Sequence, residues 1–377
     1  MMLAKFSVKN YRGFSERIEW DLATPNNYEF NTEVIKDGII KNGIIYGPNG
    51  SGKTNFGLAL FDIVNHLGQK WRKLDYYANF VYVGKLNVPV EFEYVFKDAD
   101  RIINYCYSKN NIGQLLTEKL SVDNILVFER TARTFNIDTN EFPMENTTKR
   151  NLKDNANNVS IINFLLTSYP LAKNHYLLTV LQFVDSMLWF RCLDTREFIG
   201  LDLAPTNLDE YIIQNNLVKD FSEFLHQVSD QKYQFANPRP NDKLLVCKIG
   251  GRDVIFDKII STGTNALMLL YFWIQKMRSA SFVFIDEFDA FYHFKLAFEV
   301  CKRLFALDCQ VFTSSHNTYL MTNDLLRPDC NFIVNNNKIK PLSACTQKEL
   351  RFGHNIEKLF RGCLLYTSPS PRDGLLS

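Results

Sequence analysis

The sequence is short of several things. No apolar run approaches the roughly 18 residues that a membrane-crossing helix needs, and residues 1–9 lack the long apolar segment of a secretory signal. Both absences read as a cytoplasmic chain with no membrane partner. None of the eight cysteines stands in a C-x-x-C pair, so they read as reduced, mostly buried thiols rather than a disulfide framework. Net charge is small as well: 43 Lys+Arg against 41 Asp+Glu leave +2. That gives no strong attraction for nucleic acid or anionic lipid, although a local basic patch could hide in it.

What is present is an ordinary core-forming composition, 46% hydrophobic over 377 residues, enough for two lobes around at least one large core. Within it lies residues 42–54, the apolar Ile44, Ile45 and Tyr46 followed by Gly47, Pro48, Asn49, Gly50, Ser51, Gly52, Lys53 and Thr54. This is the G-x-x-x-x-G-K-[ST] pattern of a phosphate-binding loop between a buried strand and a helix. Glycines let backbone N–H groups wrap a polyphosphate where a Cβ would obstruct it. The helix adds its positive N-terminal end. Lys53 would reach the β- and γ-phosphates of ATP, and the Thr54 hydroxyl would ligate Mg²⁺.

Around the loop, alternation on both sides of Gly13 predicts two antiparallel strands, and residues 24–37 a polar loop. Period-two runs at 88–96, 102–107 and 120–128 predict an antiparallel meander. From 130 to 240 the texture becomes mainly helical, with patterns at 161–166, 175–190 and 208–228 after an Asn-rich linker or mobile loop at 146–158. This stretch reads as an insertion between two halves of one nucleotide-binding domain, residues 1–129 and 241–362. The second half predicts a hairpin at Gly250 and Gly251, then strands alternating with helices in a mainly parallel, helix-covered sheet. Residues 363–377 resemble a translated sequencing adapter, with a genuine Ser/Pro tail as the alternative.

Three further stretches carry chemistry. Phe282, Val283, Phe284 and Ile285 lead into Asp286 and Glu287. A buried strand would deliver Asp286 to Mg²⁺, while Glu287 faces the γ-phosphate and orients or polarises the attacking water. Ser261, Thr262, Gly263 and Thr264 precede an amphipathic helix; locally they read as a helix cap, or as a second anion site. His316 ends another apolar strand at Thr313, Ser314 and Ser315, and Asp289 reads locally as a helix N-cap, or, by the resemblance given below, as part of a loop that crosses a dimer interface. The basic run 149–153 is a solvated face or a phosphate contact.

With those motifs in order, the chain resembles the ABC/SMC-type ATPases of the RecF and OLD kind. More narrowly it is similar to the AAA-type ATP-binding proteins of bacterial phage-defence and abortive-infection operons. The resemblance is carried by residues 6–14, 47–54, 261–264, 282–289, 313–317 and 353–359. It implies an α/β P-loop NTPase of ABC/SMC type, with a mixed central sheet, an antiparallel β subdomain and a helical insertion. It implies an ATPase using ATP and Mg²⁺, closing as a homodimer with Ser261 and Gly263 of one copy on the γ-phosphate of the other and His316 sensing that phosphate. An effector or nuclease subunit is the implied partner, and DNA a possible one. Alternatives are a DNA-repair or DNA-clamp ATPase, and a low-turnover nucleotide-binding scaffold for a nuclease or toxin. The transporter signature is absent, as are long heptad arms and a Toprim-type acidic cluster, and the glutamine-bearing loop has no assignment.

Overall fold

The computed structural model describes residues 1–68, 74–155, 159–191, 198–200, 207–239, 241–335 and 337–367. The chain begins with β1 (Met2–Lys9) and β2 (Ile18–Asp21). A two-strand ladder of β3 (Ile35–Lys36) and β4 (Ile39–Ile40) leads to β5 (Asn42–Tyr46), α1 (Lys53–Leu60) and α2 (Asp62–Leu67). The meander follows as β6 (Val90–Asp98), β7 (Arg101–Lys109), β8 (Leu115–Val122), β9 (Ile125–Arg130) and β10 (Phe135–Ile137). Next come α3 (Asn146–Asp154), α4 (Ile161–Ser168), α5 (Tyr176–Asp185), β11 (Met187–Arg191), β12 (Phe198–Gly200), α6 (Leu208–Gln214) and α7 (Val218–Ser229). The hairpin β13 (Val246–Ile249) and β14 (Arg252–Ile255) precedes α8 (Thr262–Met277), β15 (Phe282–Asp286), α9 (Phe294–Phe305) and β16 (Gln310–Ser315). β17 (Asn331–Asn335), β18 (Lys338–Pro341) and α10 (Ile356–Thr367) close the order.

Two seven-stranded sheets result. One is antiparallel, in the order β10-β9-β8-β7-β6-β1-β2. Its strands alternate, as in β6, where Val90, Phe92, Tyr94 and Phe96 are buried and the residues between them only partly so. The other runs β12-β11-β15-β16-β5-β17-β18, with β11, β15, β16, β5 and β17 parallel and both edges antiparallel. Every residue of β5, β15 and β16 is buried, as expected of strands covered on both faces. No helix among the described residues is long and apolar enough to cross a membrane.

Helix α1 lies between the sheets. Phe56 packs on Phe6 at 5.6 Å and on Trp20 at 5.3 Å. Trp20 in turn meets Phe312 at 4.5 Å and Phe332 at 5.4 Å, edge to face, so one aromatic core joins both sheets. Buried Gln310 ties them again: its Oε1 accepts from Leu3 N at 2.7 Å and its Nε2 donates to Leu3 O and Ile40 O, at the β1 bulge between Leu3 and Lys5. Two buried charge pairs brace the meander. Lys109 Nζ donates to Asp62 at 2.6 Å, with Tyr107 donating at 2.8 Å to the same oxygen. Glu118 accepts from Arg130 at 2.7 Å, from Tyr105 and Ser160, and from Ile161 N, fastening the start of α4 to the meander.

Several expectations need correction. The run 120–128 is not one strand: Asp123 and Asn124 take φ of 50° and 65°, and the chain turns back between β8 and β9. The pattern 208–228 is two helices, broken where Asn216 has φ 56°. Residues 146–154 of the expected linker form α3, with Leu152 buried; 156–158 lie outside the described residues. The helical pattern 175–190 ends at Asp185, and the buried run Met187–Arg191 becomes a strand. That strand, β11, pairs in parallel with β15, so the stretch expected as an insertion supplies an inner strand of the central sheet. Cys345 departs from the expected free thiols, being disulfide-bonded, whereas Cys106, Cys247, Cys301, Cys309 and Cys330 are free. Most of the tail expected to be foreign lies outside the described residues.

Candidate functional site

The loop between β5 and α1 is shaped by its glycines. Gly50 and Gly52 take φ of 76° and 98°, where a side chain is strained. A Cβ on Gly47 would stand 2.5 Å from Ser51 Oγ and 2.6 Å from Val334 O; on Gly52 it would stand 2.8 Å from the Phe14 ring. Pro48, Asn49 and Gly50 remain exposed at the rim. Gly52 caps α1 with no side-chain acceptor, leaving the first-turn N–H groups for an anion.

Lys53 folds back into this loop. Its Nζ donates to Gly47 O at 2.9 Å, Pro48 O at 3.3 Å and His316 Nε2 at 2.9 Å. Among the described residues no ion pair reaches Lys53. Burial pushes its pKa down, against the pull of Asp286 and Glu287. The His316 pKa also falls, by burial and then by the Lys53 charge, which favours the neutral imidazole that accepts this bond.

The Asp286 strand is not the neighbour of the loop strand; β16 runs between them. The tip of β16 therefore reaches both the acidic loop and Lys53. Ser314 Oγ donates to Asp286 Oδ1 at 2.6 Å and accepts from Glu287 N at 2.8 Å. Ser315 Oγ donates to Asp289 Oδ2 at 2.8 Å, and His316 meets Lys53. Across from it, Thr54 Oγ1 donates to Asp286 Oδ2 at 2.8 Å, joining positions 232 residues apart. Asp286 is fully buried, and burial raises its pKa despite the bonds from Ser314 and Thr54; burial likewise raises that of Asp289. Glu287 holds φ 50°, a left-handed conformation that glutamate rarely adopts.

So Lys53, Thr54, Asp286, Glu287, Asp289 and His316 converge. Ser261 and Gly263 stand apart from them, with no hydrogen bond to that group among the described residues. Ser261 caps α8, accepting from Thr264 N at 3.1 Å, and Gly263 lies beside Phe291, whose carbonyl would be 3.5 Å from an added Cβ. Two contributors had no reading from sequence. Ser314 orients both acids, and Arg191 at the end of β11 places Nε 3.6 Å from Asp286 and Nη2 3.5 Å from Glu287. The signal for Arg191 was an apolar run, 187–190, ending in a charged residue, just as 282–285 ends in Asp286.

The residues fit a magnesium-bound nucleoside triphosphate. A loop closed to any Cβ, an uncapped helix start, and a buried ammonium bonded only to neutral acceptors suit a polyphosphate. Among the described residues no three His, Cys, Asp or Glu side chains could cage a metal. Thr54 and Asp286 offer two hard oxygens, the partial set that Mg²⁺ uses when phosphates and water complete its shell.

No family model and no curated protein matches the chain. Among solved structures, the SMC head domain from Thermotoga maritima is 15% identical at TM-score 0.47, covering 90% of this chain and 99% of that one. An SMC head bound to the C-winged helix domain of ScpA is 15% identical at TM-score 0.46, covering 90% and 96%. An Smc head with an extended coiled coil, bound to the C-terminal domain of ScpA and derived from Pyrococcus furiosus, is 13% identical at TM-score 0.42, covering 90% and 95%. At these values the functional reading rests on the site itself.

Proposed function

We propose that the chain is an ATP-binding and ATP-hydrolysing switch that closes as a homodimer around ATP and Mg²⁺ and so controls an effector. One observation supports it above the others: the loop pair Lys53 and Thr54 meets Asp286 and His316 through the 2.8 Å and 2.9 Å bonds, although the two halves are far apart in sequence. In this reading residues 1–129 and 241–362 are the two halves of the ATPase, and β11 reaches it from the segment between them.

Each residue then has a task. Lys53 binds the β- and γ-phosphates, and the loop N–H groups hold the chain of phosphates in line. Thr54 and Asp286 would hold Mg²⁺, which when bound neutralises charge on the β- and γ-oxygens. Glu287 orients a water on the terminal phosphate and takes its proton as the bond to the β-phosphate oxygen breaks. His316, neutral, would register the terminal phosphate through its bond with Lys53.

Closure by a second copy is supported by an edge that remains open. Ser261 is exposed, and Gly263 borders Phe291. A short way along, Phe294 and Tyr319 stack at 5.1 Å while 47% and 71% exposed. In this reading a second copy whose nucleotide meets Ser261 and Gly263 also packs against these rings. The phage-defence role and a nuclease or toxin effector extend this proposal by resemblance in the motifs.

The test is sizing by light scattering with nucleotide. Lys53→Ala is expected to abolish nucleotide binding, and Glu287→Gln to accumulate as an ATP-bound dimer. A Glu287→Gln protein that stays monomeric at saturating ATP overturns the switch.

A further inference from the structure

We propose that Arg191 is a ligand of the nucleotide's terminal phosphate, a second cation that makes the site select a triphosphate over a diphosphate. The inference rests on the nucleotide reading above and adds to it a residue outside the loop and the acidic strand. Arg191 is in register with Asp286 on the adjoining parallel strand, so its side chain emerges at the same carboxyl edge of the sheet as the loop, Glu287 and His316. Ligands of open parallel sheets gather at that edge.

The guanidinium is held there without being satisfied. Its contacts to Asp286 and Glu287, at 3.6 and 3.5 Å, are ion-pair distances too long for good hydrogen bonds. Its Nε is buried with no hydrogen-bond partner among the described residues, while the side chain as a whole is 29% exposed. A buried donor in that condition is costly unless something else accepts from it. An orphaned Nε alone does not single it out, since those of Arg12 and Arg130 are buried without a partner among the described residues too. But Arg130 closes on Glu118 at 2.7 Å and Arg327 on Asp329 through both Nε and Nη2, whereas Arg191 closes on neither of its carboxylates.

A terminal phosphate lying between Lys53 and Glu287 comes within reach of the planar fork, which matches phosphate oxygens two at a time. The two carboxylates then act as a cradle that aims the guanidinium, and the phosphate takes over its donors. A diphosphate ends one phosphate short and leaves those donors where they are. Arg191 thus reads the length of the phosphate chain, whereas Lys53 and the loop bind both nucleotides.

The test compares affinities of a non-hydrolysable ATP analogue and of ADP, both with Mg²⁺, by fluorescence titration of wild type, Arg191→Ala and Arg191→Gln. Loss of a charge-assisted phosphate contact should weaken the triphosphate analogue about tenfold or more and leave ADP within about twofold. Arg191→Gln, which keeps a shorter, uncharged polar side chain in place of the guanidinium, gives the same ratio should the alanine variant fail to fold. Equal losses for both nucleotides, or none for either, overturn the proposal. Wild-type protein that binds neither nucleotide overturns the nucleotide reading itself, and this with it.

Discussion

Helix α1 carries the loop's cation and hydroxyl, and one glycine sets how closely it lies on the acidic strand. A Cβ at Gly57 would stand 2.8 Å from Phe284 Cε1, 3.1 Å from Phe284 Cδ1 and 3.0 Å from Trp189 Nε1. Carbon atoms rest at about 3.5–4.0 Å, so alanine there is roughly 0.7 Å or more too near. Phe284 and Trp189 are both buried in strands β15 and β11, and their rings have little room to turn in a close-packed core. The helix is what must lift. Thr54 stands one turn earlier on the same face, and its 2.8 Å bond to Asp286 Oδ2 would lengthen to about 3.5 Å, past useful hydrogen-bond range.

For stability, Gly57→Ala combines about 1–3 kcal/mol of overpacking with about 1 kcal/mol regained from helix propensity. The net loss is near 1 kcal/mol. For function the cost is much larger, since a misplacement approaching 1 Å at a reacting centre can cost about 10²-fold in rate. Guanidinium unfolding and magnesium-dependent ATP turnover should therefore part company, a slight destabilisation beside a turnover reduced about 10²-fold. A Gly57→Ala protein at least as stable as wild type, with turnover within about twofold, would show that the rings yield and that the helix–strand gap is set elsewhere.

Two more measurements follow from buried charge. Lys109→Met strands the Asp62 carboxylate, whose partner sits at 2.6 Å with both groups almost fully buried; a loss of about 3–5 kcal/mol in denaturant unfolding is expected, largely recovered in the double variant with Asp62→Asn. Because burial raises the Asp286 pKa, the folded chain binds the proton more tightly than the unfolded one. The stability this group contributes is full below the ordinary carboxylate value and is lost as pH rises through the folded pKa. Asp286→Asn should then be more stable than wild type by about 1 kcal/mol at neutral pH without nucleotide, the gain disappearing in acid; a thermal-melt difference that grows as pH falls would contradict the assignment.

How much of this was legible beforehand depended on the kind of pattern. The strands within 42–54, 282–287 and 310–316 were legible because a short apolar run bounded by polar or glycine residues reads as a buried strand; 282–287 and His316 gained their site reading only beside the loop at 47–54. Local turn chemistry was equally open to reading at Gly250 and Gly251, whose φ of 56° and 79° are those of a tight hairpin. The turn at Asp123 and Asn124 was missed, because the apolar alternation runs on through it on both sides. The consequential miss was 187–191. A four-residue apolar run, 187–190, following closely on an amphipathic helix is indistinguishable by period from that helix's last turn. What makes it a strand is the vacant edge of β15 beside it, a property of the assembled sheet. Arg191 was lost with it, since its neighbour Asp286 comes from a strand almost a hundred positions later.

The buried charges of this chain are held in two different ways. Asp62 with Lys109, Glu118 with Arg130 and Asp329 with Arg327 all close at 2.6–2.7 Å with further donors around them, the geometry that desolvated ions need to repay their burial. At the site, Lys53 bonds only neutral acceptors, Arg191 hovers beyond hydrogen-bond range of two acids, and Glu287 holds a strained φ of 50°. The same chain that closes these three pairs tightly leaves two cations under-used and two acids facing them at one edge of the sheet. Leaving them so costs stability, and an anionic ligand that satisfies both cations while bringing a divalent ion to the acids recovers that cost as binding energy. A diphosphate, in reach of Lys53 but not of Arg191, would recover only part of it, which is the physical basis for expecting the site to respond to the terminal phosphate.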